Sequence, residues 1–93
     1  HYDFMKINEQ NYFVCLFNEQ QIGFIGVVNN DIRLALKESE RGKGYGRYMI
    51  EFIKEKYPFA IAKIKIDNAN SLKCFEGSGY KVKYYILERD DAS

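Results

Sequence analysis

Three glycines alternate with cationic and aromatic side chains in one short segment near the middle of the chain, Glu40-Arg41-Gly42-Lys43-Gly44-Tyr45-Gly46-Arg47. Because glycine has no Cβ atom, the backbone N–H groups of such a turn can approach a ligand closely. A helix that begins there adds unpaired N–H groups and the positive end of its dipole. These features suit an anion, so the segment predicts a phosphate-binding turn.

Basic side chains cluster around this turn, although the 93-residue chain has a formal net charge of only +1. Residues 41–65 carry seven basic and two acidic side chains, against three and six in residues 1–40 and four and five in residues 66–93. Arg41, Lys43 and Arg47 repel one another unless an anion lies among them. Two other interpretations stay open, a loop that only requires positive φ angles and a solvated helix face with ordinary lysines.

Two familiar phosphate-binding motifs do not match the spacing of these residues. A Walker loop has a glycine five residues before its Gly-Lys pair and a Ser or Thr after it, where this chain has Lys37 and Gly44. A dinucleotide-binding fingerprint reads GxGxxG, whereas Gly42, Gly44 and Gly46 read GxGxG. The sequence therefore argues against a nucleotide kinase and against a dinucleotide-binding enzyme.

Alternating apolar residues bounded by turn-forming residues predict three antiparallel strands before the glycine turn. The strands cover residues 12–17, 22–28 and 32–37, and 11 residues precede the first of them. Asn18-Glu19-Gln20 and Asn29-Asn30-Asp31 connect the strands, and such short polar runs favour tight turns. We expect a meander whose third strand leads into the glycine turn.

After this meander, the spacing of apolar residues changes from two to the 3.6 of a helix. One face of that helix contains Tyr45, Tyr48, Met49, Phe52, Ile53 and Tyr57. Pro58 ends the helix, and alternation in residues 59–66 predicts a strand parallel to the third, reached by a right-handed crossover. A short helix over residues 70–76 and a last strand over residues 80–87 complete one mixed α/β (α+β) domain spanning residues 1–93.

Composition excludes several classes of protein. No apolar run approaches the roughly 20 residues that span a bilayer, so we expect a soluble, cytoplasmic protein with no membrane partner. Cys15 and Cys74 lack CxxC spacing and a histidine partner, which argues against a metal site and favours two small buried hydrophobic residues. The summed charge is too small for a dominant phosphate-backbone surface, so nucleic acid is not the expected partner.

The glycine turn resembles the pyrophosphate loop of the GCN5-related N-acetyltransferase (GNAT) superfamily, whose pattern is Arg or Gln, two residues, Gly, one residue, then Gly or Ala. Arg41-Gly42-Lys43-Gly44-Tyr45-Gly46 fits every fixed position. The run from Asn68 to Tyr80 resembles the second family signature, an asparagine, small residues, an aromatic residue and a Gly-aromatic pair. The resemblance covers about residues 20–87 and implies a GNAT-like mixed sheet and an acetyl-CoA-dependent N-acetyltransferase.

In this family, acetyl-CoA lies where two neighbouring parallel strands splay apart, which here implies residues 32–37 and 59–66. The backbone at the end of the first strand would pair with the pantetheine arm, and residues 41–47 would hold the pyrophosphate. The cofactor-binding residues that the resemblance implies are Leu36, Lys37, Glu38, Arg41, Gly42, Lys43, Gly44, Tyr45, Gly46, Arg47, Asn68, Asn70, Ser71 and Phe75. For the two asparagines, helix capping is the alternative interpretation.

The resemblance also implies that a primary amine attacks the thioester directly in a ternary complex. Such an amine must lose a proton, and Glu38 and Asp31 are the candidate catalytic bases nearest the expected cleft, with Glu40 as a third carboxylate. Surface carboxylates without a catalytic role are the alternative interpretation of all three.

Phe75 departs from the family pattern, which often has a tyrosine there that protonates the leaving thiolate. Water, Cys74 or one of Tyr80, Tyr84 and Tyr85 would then supply the proton, or the thiolate would leave unassisted.

Family members usually carry a further strand and two helices before the meander, and those helices form much of the acceptor pocket. The chain is therefore either a piece of a larger parent chain or a minimal member whose acceptor site is open, shared in a homodimer or formed by a partner. A small-molecule or peptide amine is the expected acceptor, and residues 64–75 resemble somewhat those of members that acetylate amino-sugar nucleotides. The alternative function is a non-catalytic acyl-CoA-binding or regulatory module.

Overall fold

A four-stranded antiparallel sheet and two helices form the domain in a computed structural model that describes residues 1–7 and 11–90. The strands follow one another across the sheet in chain order. The elements are β1 (Tyr2–Lys6), β2 (Tyr12–Phe17), β3 (Gln20–Val28), β4 (Asp31–Leu36), α1 (Tyr45–Lys56) and α2 (Ala69–Gly77), with a 3-10 turn at Glu38–Glu40 after β4. The predicted α+β class and the antiparallel meander are confirmed.

The two turns of the predicted meander are tight, with positive φ angles at both central residues. These angles are 50° and 71° at Asn18 and Glu19, and 51° and 67° at Asn29 and Asn30. Two consecutive positive φ angles define the turn whose twist matches that of a β-hairpin. Asparagine tolerates this conformation well, whereas Glu19 adopts it without that advantage.

Strand β1 was not predicted, so the expectation that the first strand begins only after 11 residues is wrong. β1 pairs with β2 in an antiparallel register that places Tyr2 opposite Phe17. Its two aromatic side chains stack on α1, with ring centroids 4.4 Å apart for Tyr2 and Tyr48 and 3.8 Å apart for Phe4 and Phe52. Five residues carry too short an alternating pattern to predict this strand, whose aromatic side chains find their partners only after α1 packs on the sheet.

Helix α1 packs one face against the sheet, and this face agrees only in part with the predicted one, because Ile50, which the prediction omits, is fully buried and Tyr48 is 57% exposed. Met49, Ile50 and Ile53 have no exposed surface, and they meet Ile22 and Ile25 of β3 in the same buried cluster. Full burial of each such side chain stabilises the fold by about 1.5–3 kcal/mol. The helix therefore holds its first turn, next to the glycine segment, at a fixed place over the sheet.

The two strands predicted after α1 do not form. Of residues 59–66, only Ile61 bridges to another strand, through one parallel bridge to Asp31. Residues 80–87 pair with no strand in the described part of the chain, and Tyr84, Tyr85 and Leu87 are more than 80% exposed. Alternation indicates which side chains share a face, but a strand also requires a neighbouring strand for its N–H and C=O groups.

Candidate functional site

An open cleft of about 550 Å³ lies along the outer edge of β4. β4 and the chain after α1 meet at the bridge between Asp31 and Ile61, where the Ile32 N–H donates to the Ile61 carbonyl at 2.8 Å. Beyond this bridge the two segments diverge, and Leu34 and Ile64 line the two sides of the gap. The cleft falls within the range of about 300–1,000 Å³ that is typical of small-molecule sites.

The edge of β4 presents backbone donors to this cleft. The N–H of Ile32 points outward to Ile61, whereas the N–H of Lys37 points inward and donates to the Ile22 carbonyl of β3 at 2.9 Å. Because strand N–H groups alternate between the two edges, those of Leu34 and Leu36 point to the cleft side. No carbonyl of residues 1–7 or 11–90 beyond the sheet accepts them.

The glycine turn immediately precedes α1. Gly42 and Gly44 have φ angles of 78° and 85°, and Gly44 is the N-cap residue of the helix. A Cβ atom added at either glycine would meet nothing within 4 Å, so the space in front of the turn is open. In the described part of the chain, the N–H groups of residues 42–46 donate to no other group outside the helix. The turn therefore offers a set of unused donors at a helix N-terminus.

Gly46 connects this turn with the rest of the site. A Cβ atom there would lie 3.3 Å from the Cys74 Sγ atom and 3.9 Å from the Leu36 Cδ1 atom. The contact with Leu36 would be an ordinary one, whereas the contact with the Cys74 sulfur is tight and would require a small shift between α1 and α2. The third glycine serves close packing, while the first two leave room for a ligand.

The three cations near the turn have different surroundings. The Lys43 ammonium lies 3.0 Å from the Glu40 carboxylate, and this hydrogen bond raises the pKa of Lys43. The Arg47 guanidinium donates to the Gly77 carbonyl at 3.0 Å, at the C-terminal end of α2. The Arg41 side chain is exposed and contacts no acidic group among the described residues. Arg47 thus joins the two helices, and Arg41 is the cation best placed to meet an incoming anion.

Helix α2 presents one face to the cleft through Asn68, Ser71 and Phe75. The Asn68 side-chain oxygen accepts a hydrogen bond from the Ser71 N–H at 3.1 Å, so the asparagine caps the helix. Phe75 is 4% exposed, and its ring meets that of Tyr80 edge to face at 5.2 Å. Asn70 is exposed in the first turn of the helix and does not line the cleft.

The three candidate carboxylates lie at different places around the cleft, and none of them lines it. Asp31 lies at the closed end, where its carboxylate is 3.1 Å from the Lys63 ammonium. The Glu40 carboxylate forms an ion pair with the Lys43 ammonium at 3.0 Å. Glu38 follows the end of β4, is exposed, and makes no side-chain hydrogen bond or ion pair with a described residue.

Both cysteines are free thiols. Cys15 belongs to β2 and is buried in the core, and this burial raises the pKa of its thiol from 9.0 to about 11. Burial also raises the pKa of Cys74, partly opposed by the nearby positive charge of Arg47. The pKa of the half-buried Tyr80 is raised by burial and by the charge of Glu51. Both Cys74 and Tyr80 therefore keep their protons at neutral pH.

Sequence reasoning missed the residues on the outer side of the cleft. Tyr12 and Phe24 form an edge-to-face pair with centroids 5.7 Å apart, beside the cationic side chains of Arg33, Lys63 and Lys65. Their signal is present in the sequence, since each alternates with a core residue, but the pattern alone does not reveal that they border a cleft.

The comparisons with known proteins agree with this geometry. The model of the acetyltransferase (GNAT) domain family matches residues 8–82, which is most of the chain. The chain therefore belongs to the GNAT acetyltransferase family. No curated protein matches it at a significant level of sequence similarity.

Two solved structures of an aminoglycoside acetyltransferase, meta-AAC0020 from an uncultured soil metagenomic sample, share this fold. One is a complex with trehalose and the other a complex with sisomicin. Each aligns with a TM-score of 0.64 and 14% identity, over 88% of this chain and 66% of the other. The chain thus spans slightly less than two thirds of the length of the solved structures it matches.

Within residues 1–7 and 11–90, neither helix has the length and apolar composition needed to cross a bilayer.

Proposed function

We propose that this domain transfers an acetyl group from acetyl-CoA to a primary amine by direct attack in a ternary complex. The observation that carries the proposal is the alignment of two features along one edge, the open side of β4 and the glycine turn that begins α1. The first offers strand donors to an extended ligand, and the second offers helix donors to an anion.

The residues present fit a coenzyme with an extended arm and a diphosphate. The open space in front of Gly42 and Gly44 leaves room for phosphate oxygens, which the N–H groups of residues 42–46 would bind. Arg41 would add positive charge there, and Lys43 is held nearby by Glu40. Of the α2 residues, Asn68 and Ser71 would contact the arm from the opposite wall of the cleft.

Acetyl-CoA, when bound, supplies an acetyl thioester whose carbonyl carbon an amine nitrogen can attack. The N–H groups of Leu34 and Leu36 are the donors available to hold and polarise a carbonyl at this edge. Glu38 is the carboxylate we assign to accept the amine proton, because Asp31 is paired with Lys63 at the closed end. Lys37, next to it, and Tyr45, in the first turn of α1, complete the proposed cofactor contacts.

Phe75 has no proton to donate, so another group must protonate the leaving thiolate if assistance is needed. Cys74 is a protonated thiol beside Gly46, and Tyr80 is a protonated phenol in contact with the Phe75 ring. A thiol with a pKa of about 8.5 is itself a tolerable leaving group, so water also suffices.

The first test is a calorimetric titration of the domain with acetyl-CoA, with desulfo-CoA and ATP as comparison ligands. We expect micromolar affinity for both coenzyme forms and much weaker affinity for ATP, because only the coenzymes fill the cleft as well as the turn. A domain that binds acetyl-CoA no better than ATP would refute the cofactor assignment.

The second test is release of free CoA in the presence of a panel of amines, followed by chromatography. We expect amine-dependent release together with an acetylated product. Coenzyme binding with no amine-dependent release would instead indicate a non-catalytic acyl-CoA-binding module.

A further inference from the structure

The charged residues that line the cleft are all cationic. They are Arg33 of β4 and Lys63 and Lys65 of the opposite wall. Lys63 is paired with the Asp31 carboxylate at 3.1 Å, so the net positive charge of the cleft comes from Arg33 and Lys65, which form no ion pair with a described residue. The electrostatic potential in such a cleft is positive, so it attracts anionic groups and repels cations.

These three cations lie on one side of the sheet. Along β4, Ile32 points into the core, so its neighbour Arg33 points to the opposite face. Along the second wall, Ala62 and Ile64 pack against the core, so Lys63 and Lys65 point away from it. The helices occupy the core side, which leaves the cationic side open to an incoming acceptor.

The glycine turn has its own cations and lies away from this set. Arg33 is three residues before Leu36, the last residue of β4, a separation of roughly 10 Å along the strand, and the glycine turn begins only after the 3-10 turn at Glu38–Glu40. Lys63 is nearer still to the closed end, where Asp31 holds it at 3.1 Å. The cleft cations therefore face the part of the site beyond the diphosphate turn.

We propose that the acceptor is a primary amine that also carries a phosphate or a carboxylate, bound by Arg33 and Lys65, and that polycationic amines are excluded. This inference rests on the proposed acetyl transfer. Arg33 is exposed and can form paired hydrogen bonds to either anion, and Lys65 adds a second exposed charge from the facing wall. The Tyr12–Phe24 pair supplies an apolar surface for the rest of the acceptor.

The same charges assist the chemistry. A neutral amine is required for attack, and nearby positive charge disfavours the ammonium form of an amine. An acceptor anchored by its anion would therefore deprotonate more easily in this cleft than in water. An amine with several positive charges would lose binding energy for the same reason.

The experiment compares matched amines with and without an anionic group. Glucosamine and its 6-phosphate form the phosphate pair, glycylglycinamide and glycylglycine form the carboxylate pair, and sisomicin is the polycation. We expect kcat/KM to be at least tenfold higher for the anionic member of one pair, and sisomicin to be the poorest substrate. The pair whose two members differ in kcat/KM identifies the anion that the cleft prefers. Equal rates within both pairs, or sisomicin as the best substrate, would overturn the inference.

Two charge-removing variants and one control locate the effect. Arg33→Gln and Lys65→Gln should each raise KM for the preferred acceptor about tenfold, the scale of one charge-assisted hydrogen bond. Lys73→Gln, an exposed position of α2 outside the cleft, should leave it unchanged. A rise in KM for acetyl-CoA in place of the acceptor would assign the cations to the coenzyme and refute the inference.

Binding provides a readout that does not need turnover. With desulfo-CoA present, calorimetry should show tighter binding of the anionic amine to the parent domain than to either cleft variant. Failure of the proposed acetyl transfer is distinguishable from failure of this inference. The first would appear as absent coenzyme binding, or as coenzyme binding with no CoA release for any amine, whereas the second would appear as acetylation and amine binding that do not depend on the anion.

Discussion

Gly44 allows the anion-binding role of the turn to be separated from its structural role. The residue has a φ angle of 85°, and a Cβ atom there would project into open space. Asn and Asp are nearly identical in shape and both tolerate this backbone region, so Gly44→Asn and Gly44→Asp should each cost about 1 kcal/mol of folding free energy or less. Only the aspartate places a negative charge in front of the donors of residues 42–46.

The expected loss of affinity follows from Coulomb's law. At about 5 Å and an effective dielectric of about 40, one unit charge repels another by about 1.7 kcal/mol, so a diphosphate with two charges loses about 3 kcal/mol. That corresponds to roughly 100-fold weaker binding of acetyl-CoA to Gly44→Asp than to Gly44→Asn. Calorimetry gives the two dissociation constants, and thermal unfolding verifies that the variants are equally folded.

Salt provides the control for this comparison. At about 1 M salt the Debye length falls to about 3 Å, so the difference between the two variants should shrink severalfold. If the aspartate and asparagine variants bind acetyl-CoA equally at low salt, the phosphate does not lie at this turn and the reasoning is wrong.

Three further predictions concern the cap, the hairpin turns and the buried thiol. Asn68→Asp retains the oxygen that caps α2 but loses the amide donor, so we expect unchanged stability and weaker acetyl-CoA binding. Asn68→Ala loses the capping oxygen as well, so it should also lose about 1 kcal/mol of stability. Calorimetry and denaturant unfolding test both variants. Glu19→Gly should stabilise the domain by about 0.5–1 kcal/mol because it relieves the positive φ angle of 71°. Asn30→Gly should gain less, because it removes the side-chain hydrogen bond to the Phe59 carbonyl at 3.1 Å. The pKa of Cys15 is raised to about 11 in the folded domain, so the stability that it contributes is present below pH 9.0 and is lost as the pH rises towards 11. Urea titrations across this range should show a larger loss of stability in the parent than in Cys15→Val, in which the raised pKa values of Tyr2 and Tyr80 still act.

Local signals account for most of what could be predicted. The turns at Asn18 and Asn29 and the period of α1 depend on residues close together in the chain, and the structure has them where the pattern predicts. β1 was missed because its aromatic residues are stabilised by partners in α1 that lie 46 and 48 residues away along the chain. Residues 59–66 carry a strand pattern but meet β4 only at the Ile61 bridge, and residues 80–87 carry one with no partner strand in the described residues. A pattern by itself cannot reveal either outcome.

The candidate site shows the same contrast between features that local sequence predicts and features that depend on contacts between distant residues. The glycine turn could be identified from sequence because the donors that we propose for a diphosphate are the backbone N–H groups of consecutive residues. The roles of the surrounding charges depended on distance in space, which pairs Lys43 with Glu40, directs Arg47 to α2, and joins Asp31 to Lys63.

The sequence by itself determined the family and the class of fold and predicted the place where a diphosphate would bind, because these depend on short motifs and local periodicity. The family resemblance already implied that residues 32–37 and 59–66 splay apart. Only the tertiary structure decided that these two segments meet at the bridge between Asp31 and Ile61, and that Arg33 and Lys65 line the two sides of the resulting cleft. The physical reason is that a cleft is formed by segments far apart in the chain. Its shape and charge therefore exist only once those segments have packed around a common core.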